Sequence, residues 1–492
     1  MLKDDVDAVV VGGGVSGIAA TIALKEQGLR DVALLEKSDG LGGVWHHNRY
    51  PGAACDVPSP VYSYRFALNP NWSRLFARGE EIRKYLEQVA VENGVLQHVR
   101  FKTELLEAAW DEESRRWLCK TSEGALRAKF LILGTGNVHS PSIPNVPGID
   151  TFAGRSFHSS EWPDDFDPAG RRIAVVGTGA SAIQFVPEIQ PHAKQLVILQ
   201  RTPPWILPKG DRSHPNSNRL WATLRQRILR TVIARGLDVV YAGLLNRRLI
   251  GAFERLSLHH LQKQVADPQL RAALTPNYRF GCKRMLLSSD FYPAVASENV
   301  DYVPSELAEV REGSVVADGR EFPVDTIIWG TGFQFANQPM HERIRGRDGR
   351  TLAERWAGSP RGYLGATVAG YPNAFILLGP NTGTTSQIGA SEATVRYLAS
   401  AVETMRRKGF DTVDVRAEVE EAWVEAADDK LAKSVFRTGG CSSYYYDATG
   451  RLNGPWPGSL KHMAQSLSRF NVDDYNVTQP SNAPASESLA SS

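Results

Sequence analysis

Apolar residues in this chain come in short runs that end in glycine. The first, "VDAVVVGGG" from Val6, has the length and composition of a buried strand. "VSGIAATIALKEQG" comes next with apolar positions at helical spacing, and "DVALLEK" is a second apolar run. The pattern predicts strand, helix, strand. Residues 171–201 repeat it as "RRIAVVG", "TGASAIQFVPEIQPHA" and "KQLVILQR". Two more runs, "KFLILGTGN" at 129–137 and "DTIIWGTGF" at 325–333, close in a similar turn. Strands alternating with helices predict an α/β fold with parallel sheets. Residues 205–275 break the pattern, being Leu- and Arg-rich at helical spacing. We read them as a helical insertion packed on the domains, in preference to a helix lying on a membrane surface. The closing "TQPSNAPASESLASS" is small, polar and Pro-containing, and is expected to be disordered.

The two glycine turns differ in the residue that closes the next strand. Gly12, Gly14 and Gly17 form a G-x-G-x-x-G turn between strand and helix. Glycines there allow a tight turn and close approach to a pyrophosphate, which the helix N-terminus favours. Glu36 ends the next strand, where a carboxylate accepts hydrogen bonds from ribose hydroxyls. The second turn has Gly177, Gly179 and Ala182, but Arg201 stands at the position matching Glu36. A guanidinium there removes repulsion against a 2′-phosphate and offers it a planar fork. The first site therefore suits FAD or NAD, and the second, with Arg201 and its neighbour Thr202, suits NADPH. Two such folds in one chain imply two Rossmann-like domains, for FAD and NADP, and a flavin reduced by a nicotinamide.

Composition narrows the setting. Lys and Arg number 56 against 54 Asp and Glu, a balance that points to neither nucleic acid nor an anionic surface as partner. No apolar run is long enough to span a membrane, and no secretory leader precedes the first strand, so a cytoplasmic protein is expected. Cys55, Cys119, Cys282 and Cys441 are far apart, with no zinc spacing, and suit a reducing compartment. They also lack the closely spaced redox pair of a flavin disulfide reductase. No metal is expected, and nothing here sets an oligomeric state.

Three further stretches carry a family resemblance. Phe152, Gly154, His158, Trp162 and Pro163 in "FAGRSFHSSEWP" match a fingerprint of type I Baeyer–Villiger monooxygenases. "LGGVWHHNRYPGAACD" matches a second one through Gly42, Gly43, Trp45, Tyr50, Pro51, Gly52 and Asp56. "YRFGCKRMLLSSDFYP" at 278–293 resembles the family's basic segment. The opening "GPNTG" at 379–383 is similar to the hydroxyacetophenone monooxygenase-like branch. The resemblance implies an FAD-containing enzyme that uses NADPH and molecular oxygen to insert oxygen beside a ketone carbonyl through a peroxyflavin, giving an ester or lactone. It implies Arg284 as the cation that keeps the peroxide anionic and Asp56 as the acid that orients it. It further implies that His158 couples the two domains, that Lys283 joins Arg201 on the 2′-phosphate, and that Gly43 and Trp45 belong to the flavin site. The implied layout is an FAD domain over 1–150 and 329–476, and an NADP domain with its linker over 151–204 and 276–328. The insertion at 205–275 and a tail at 477–492 complete it. Ala54 and Tyr444 stand where many members have Arg and Trp, so the ketone is not carried over. Oxygenation of nitrogen or sulfur, or a flavin protein that does not oxygenate, are the alternatives.

Overall fold

The strand Asp5–Val11 is a continuous apolar run, which requires cover on both faces, and Ala8, Val9 and Val10 are fully buried. In the computed structural model, which describes residues 4–214, 219–245, 250–335 and 338–480, it lies near the middle of an eight-stranded sheet. Parallel neighbours are Val32–Leu35 on one side and Gly124–Leu133 on the other. Val99–Arg100 extends the first edge, and the antiparallel strands Arg116–Thr121 and Leu105–Asp111 extend the second. The chain returns to this sheet late, as Ile344–Arg345 beside Leu105–Asp111 and as Ala374–Ile376 beside Gly124–Leu133. The helix Gln387–Lys408 then packs on Val15–Glu26, where Ser391 Oγ meets Ser16 Oγ at 2.9 Å.

The second unit is a five-stranded parallel sheet in the order Val300–Val303, Gln195–Leu199, Arg172–Val176, Thr326–Trp329, Arg155–His158. The chain enters it along residues 134–154 and leaves along 330–335, and the two crossings bond to each other. Ser142 N donates to Gly332 O and Gln334 N to Ser140 O, both at 2.9 Å.

The insertion is helical, over Arg219–Leu245, Ile250–Gln264 and Pro268–Ala273. Its first helix lies on the first unit: Arg230 Nη1 donates to Ser63 O at 2.6 Å, and Tyr241 OH donates to Gly383 O at 3.0 Å. Its second lies on the other, with Ser257 Oγ donating to Ile206 O at 2.8 Å. The tail begins later than its composition suggests. Tyr475–Thr478 is a strand paired with Thr412–Val415, so 477 and 478 belong to the folded chain, because Val477 and Thr478 complete that ladder. Residues 481–492 lie outside the described ones.

Candidate active site

Backbone crowding explains the first glycine turn. Gly12 has φ of +101°, and a Cβ on it would stand 2.8 Å from Gly134 O. A Cβ on Gly17 would stand 1.8 Å from Gly12 O, so any side chain would prise the helix from the strand. Gly43, with φ of +55°, brings its backbone against Gly14, and Gly42 N donates to Gly13 O at 3.0 Å. The "LGGVW" turn is thus folded onto the dinucleotide turn. Glu36 is buried, accepting from Gly13 N at 2.7 Å and Ser38 N at 2.8 Å. Trp45 Nε1 donates to Tyr62 OH at 3.0 Å. Beyond the strand ends, Leu133, Gly136, Met340, Trp356, Leu378 and Asn453 line an open cleft. It lies at the carboxyl ends of the strands, where open α/β sheets bind ligands.

The second turn repeats the first. Gly177 has φ of +92°, a Cβ there would stand 2.7 Å from Gly330 O, and Ala182 opens the helix Ala182–Ile189. Gly179 has room for a Cβ, whose one near neighbour would be Gly330 O at 3.6 Å. Arg201 is exposed just past Gln195–Leu199, and Thr202 is half-buried beside it. Burial, and then the charge of Arg201, pull the Lys283 ammonium below its usual range. Two cations held this close, with no carboxylate paired to either among the described residues, form a site that gains by receiving an anion.

The two units meet at Asp56. Its Oδ2 accepts from Arg284 Nε at 3.0 Å and Nη2 at 2.5 Å, across 228 residues of sequence. Arg284 keeps 46% of its side chain accessible, against 19% for Asp56. The carboxylate is the main reason the guanidinium sits well above its usual range; burial opposes it, and the rings of Tyr444 and Tyr445 add to it. A single Asp therefore aims the Arg284 guanidinium. The loop carrying Asp56 is fixed from the other unit by Gln184. Tyr50 OH donates to Gln184 Oε1 at 3.0 Å, and Gln184 Nε2 donates to Ala54 O at 2.9 Å. Gly52, with φ of +79°, has no room for a Cβ, which would stand 2.6 Å from Gln184 O. Burial pushes the Tyr50 phenol up to about 12, so it stays a donor.

Four cysteines far apart in sequence suit a reducing compartment, but the fold brings two of them together. Cys282 and Cys441 form a disulfide with Cα atoms 6.1 Å apart, while Cys55 and Cys119 are free and buried. The fold brings together residues that sequence separation hid. The disulfide ties the Arg284 loop to the segment holding Tyr444 and Tyr445. That loop is also packed by Leu244 of the insertion against Gly281, and Arg279 Nε donates to Glu254 Oε1 at 2.7 Å.

His158 does not join this group of contacts. It ends the strand Arg155–His158 at 0% exposure, edge-on to Phe333 with ring centroids 5.3 Å apart. Its Nδ1 meets Ser160 Oγ at 2.7 Å, and burial holds its pKa below the usual value. It sits under the outgoing crossing. Trp162, half-buried, packs edge-on to Phe157 and Phe166 and against Phe185, at the margin of the second unit's core. Gly154 is required by Asp325, whose carbonyl oxygen would lie 2.3 Å from an added Cβ.

The family model for flavin-binding monooxygenase-like proteins matches residues 6–350. The chain belongs to that family. A Baeyer–Villiger monooxygenase of Streptomyces coelicolor is 42% identical, over 98% of this chain and 94% of its own. One of Pseudomonas aeruginosa is 40% identical, over 95% and 91%. Among solved structures, closed cyclohexanone monooxygenase superposes with a TM-score of 0.86 at 26% identity, covering 97% of this chain and all of the other. Steroid monooxygenase bound to NADP gives 0.84 at 29%, covering 96% and 100%. OTEMO in complex with FAD and NADP gives 0.87 at 26%, covering 96% and 99%.

As a flavin-binding monooxygenase, the enzyme takes FAD and NADP, and its residues fit both. The first cradle excludes side chains at Gly12 and Gly17 and presents a buried carboxylate; the second ends in two cations. Among the described residues no helix is long and apolar enough to cross a membrane, and no cluster of His, Cys, Asp and Glu would hold a metal. Sequence reasoning missed Gln184, Tyr445 and Leu244. Gln184 lies two residues past the third position of the second turn, and that placement on the first helical turn was its only local signal.

Proposed function

We propose that this flavin monooxygenase inserts one oxygen atom beside a ketone carbonyl, giving an ester or lactone, with NADPH as electron source. The observation that carries the reading is the Asp56–Arg284 pair, a permanently charged guanidinium fixed at the meeting of the two nucleotide-binding units. FAD, when bound, supplies the oxygen-activating centre once NADPH has reduced it. The chain's residues do the rest. Gly12, Gly14 and Gly17 admit the flavin nucleotide's pyrophosphate, Glu36 addresses its ribose, and Gly43 and Trp45 close over it. Gly177, Gly179 and Ala182 admit the second pyrophosphate, and Arg201, Thr202 and Lys283 take the 2′-phosphate. Arg284 holds a positive charge where negative charge develops on oxygen, favouring attack on a carbonyl carbon over electrophilic oxygenation of sulfur or nitrogen. Asp56 keeps that charge in place. His158 is a positioning residue beneath the crossings. The buried Cys55 thiol, which burial pushes up, stays protonated beside Asp56 and does not compete as a nucleophile. We place the enzyme in the cytoplasm, where NADPH is supplied and where the Cys282–Cys441 pair would face a reducing thiol pool.

The test is NADPH consumption by the yellow, FAD-loaded protein with a panel of aryl, cyclic and linear ketones, with products identified by mass. Ester or lactone formed in proportion to NADPH is expected. Turnover of sulfides or amines alone, with every ketone returned unchanged, would overturn the reading.

A further inference from the structure

The helix Arg219–Leu245 has two apolar faces, and the fold covers one. Ala222, Gln226, Tyr241 and Leu244 are buried, and Arg230 and Tyr241 make the contacts to the first unit described above. On the other side Trp221 is 69% exposed, Ile228 55%, Val232 62% and Val239 63%, with Leu224 also open. At 3.6 residues per turn these five fall in a stripe about 80° wide, and they run for about 27 Å along the axis. Arg235 falls within the stripe, Arg225 borders it, and Arg227 lies further round. None of the three is paired with a carboxylate among the described residues. Asp238, the helix's one acidic residue, is turned inward and accepts from Leu460 N at 3.1 Å.

We propose that this face is a membrane-docking surface, seated on anionic phospholipid with the helix axis in the plane of the interface. An apolar stripe left open along a helix costs free energy in water. Its chemistry is that of an interfacial helix: aliphatic side chains along the centre, a tryptophan at one end, and arginines whose stems lie on apolar surface while their heads reach outward. Charge selects lipid over a second copy of the chain. Pairing the face with itself would set Arg225 and Arg235 against arginines, with no carboxylate on the face to neutralise them. Area selects the same way. A stripe about 27 Å by 10 Å offers roughly 270 Å², well below the ~800 Å² per partner of a stable protein interface. A bilayer needs no matching partner surface and supplies the negative charge.

The experiment is co-sedimentation of the full-length, FAD-loaded protein with vesicles of phosphatidylcholine alone, and of equal parts phosphatidylcholine and phosphatidylglycerol. Binding to the mixed vesicles is expected, weaker on phosphatidylcholine and lost at high salt. Ile228→Glu with Val232→Glu should lower the partition coefficient about tenfold or more. Arg225→Glu with Arg235→Glu should reduce binding on mixed vesicles to the level on phosphatidylcholine. Both double variants lie away from the cofactor sites and should keep their FAD and their melting temperature. Brominated lipid supplies a readout that needs no charge in the stripe. It should quench part of the wild-type fluorescence, and Trp221→Phe should remove that part, since Trp221 is the one tryptophan among the described residues that is exposed. Absence of binding to mixed vesicles, or equal binding by the Ile228→Glu, Val232→Glu variant, would overturn the proposal. So would a lipid-free dimer that this variant abolishes, since the occupant would then be a second copy.

Discussion

Arg284 and Asp56 form one device with unequal halves. Arg284 carries the charge, and Asp56 aims it. Removing a preorganised charged group at a transition state costs about 10²–10³ in rate. Arg284→Ala should lose at least that much product formation while flavin reduction by NADPH partly survives, the oxygen returning as hydrogen peroxide. Asp56→Ala should lose less, because its guanidinium partner remains. Product per NADPH, measured beside anaerobic single-turnover reduction, separates the two steps; a normal product ratio in Arg284→Ala would remove the arginine from the mechanism. Arg201 answers to a different measurement. A charge-assisted contact to a 2′-phosphate is worth about 1.5–3 kcal/mol, or roughly 10- to 150-fold. Arg201→Ala should raise the Michaelis constant for NADPH by that factor and leave the constant for NADH nearly unchanged. Equal shifts would place Arg201 off the phosphate. The sequence points to both residues, to Arg201 from its spacing to Ala182 and to Arg284 from the family resemblance. It does not point to Gln184, because its partners Tyr50 and Ala54 are 134 and 130 residues away and a glutamine on a helix has no distinctive neighbours.

At the scale of elements, the strand Arg155–His158 is set by a backbone contact. Gly154 lets it lie beside Thr326–Trp329, and a methyl group there would strike Asp325 O. Overpacking of this kind costs typically about 1–3 kcal/mol. Gly154→Ala should therefore lower the melting temperature by several degrees. Because the strand carries His158 beneath the outgoing crossing, it should also loosen the coupling of NADPH oxidation to product. A variant with unchanged melting and coupling would mean that the strand moves without cost. The strand–turn–helix units were legible because glycine turns and apolar runs are local signals. The insertion's helices were legible too, but not the division of its faces: periodicity marks Leu244 and Val239 alike as apolar, and only packing decides which one is covered.

At the scale of the whole molecule, two buried histidines near the cleft lined by Met340 and Trp356 contribute to how acid acts on the fold. Burial lowers both His139 and His341 to about 4, and His341 stands edge-on to Trp356 with ring centroids 4.7 Å apart. In the unfolded chain each would titrate near about 6.5. Between those values the unfolded chain takes up protons that the folded one refuses, so stability is full above about 6.5 and falls as the pH drops toward about 4. Melting temperature followed from about pH 7 to about pH 5 should decline, and His341→Phe should flatten the decline while keeping a ring on Trp356. An unchanged slope would mean that His341 takes up no proton on unfolding. The paired crossings at Ser142–Gly332 and Ser140–Gln334 have a different consequence. Because the chain enters and leaves the second unit at adjacent points, that unit is a cassette, open to exchange between relatives with two cuts on the same side. The cuts would be tolerated, but further attachments would travel with the piece, among them Tyr241 leaning on the backbone of Gly383 and Trp456, Arg230 on Ser63, Gln184 on Tyr50 and Ala54, Arg284 on Asp56, and Cys282 bolted to Cys441. A chimera built at the crossings alone would carry a graft whose seams match and whose fasteners meet a stranger's surface, so the segments around Gly383, Cys441 and Trp456 would have to be moved with it.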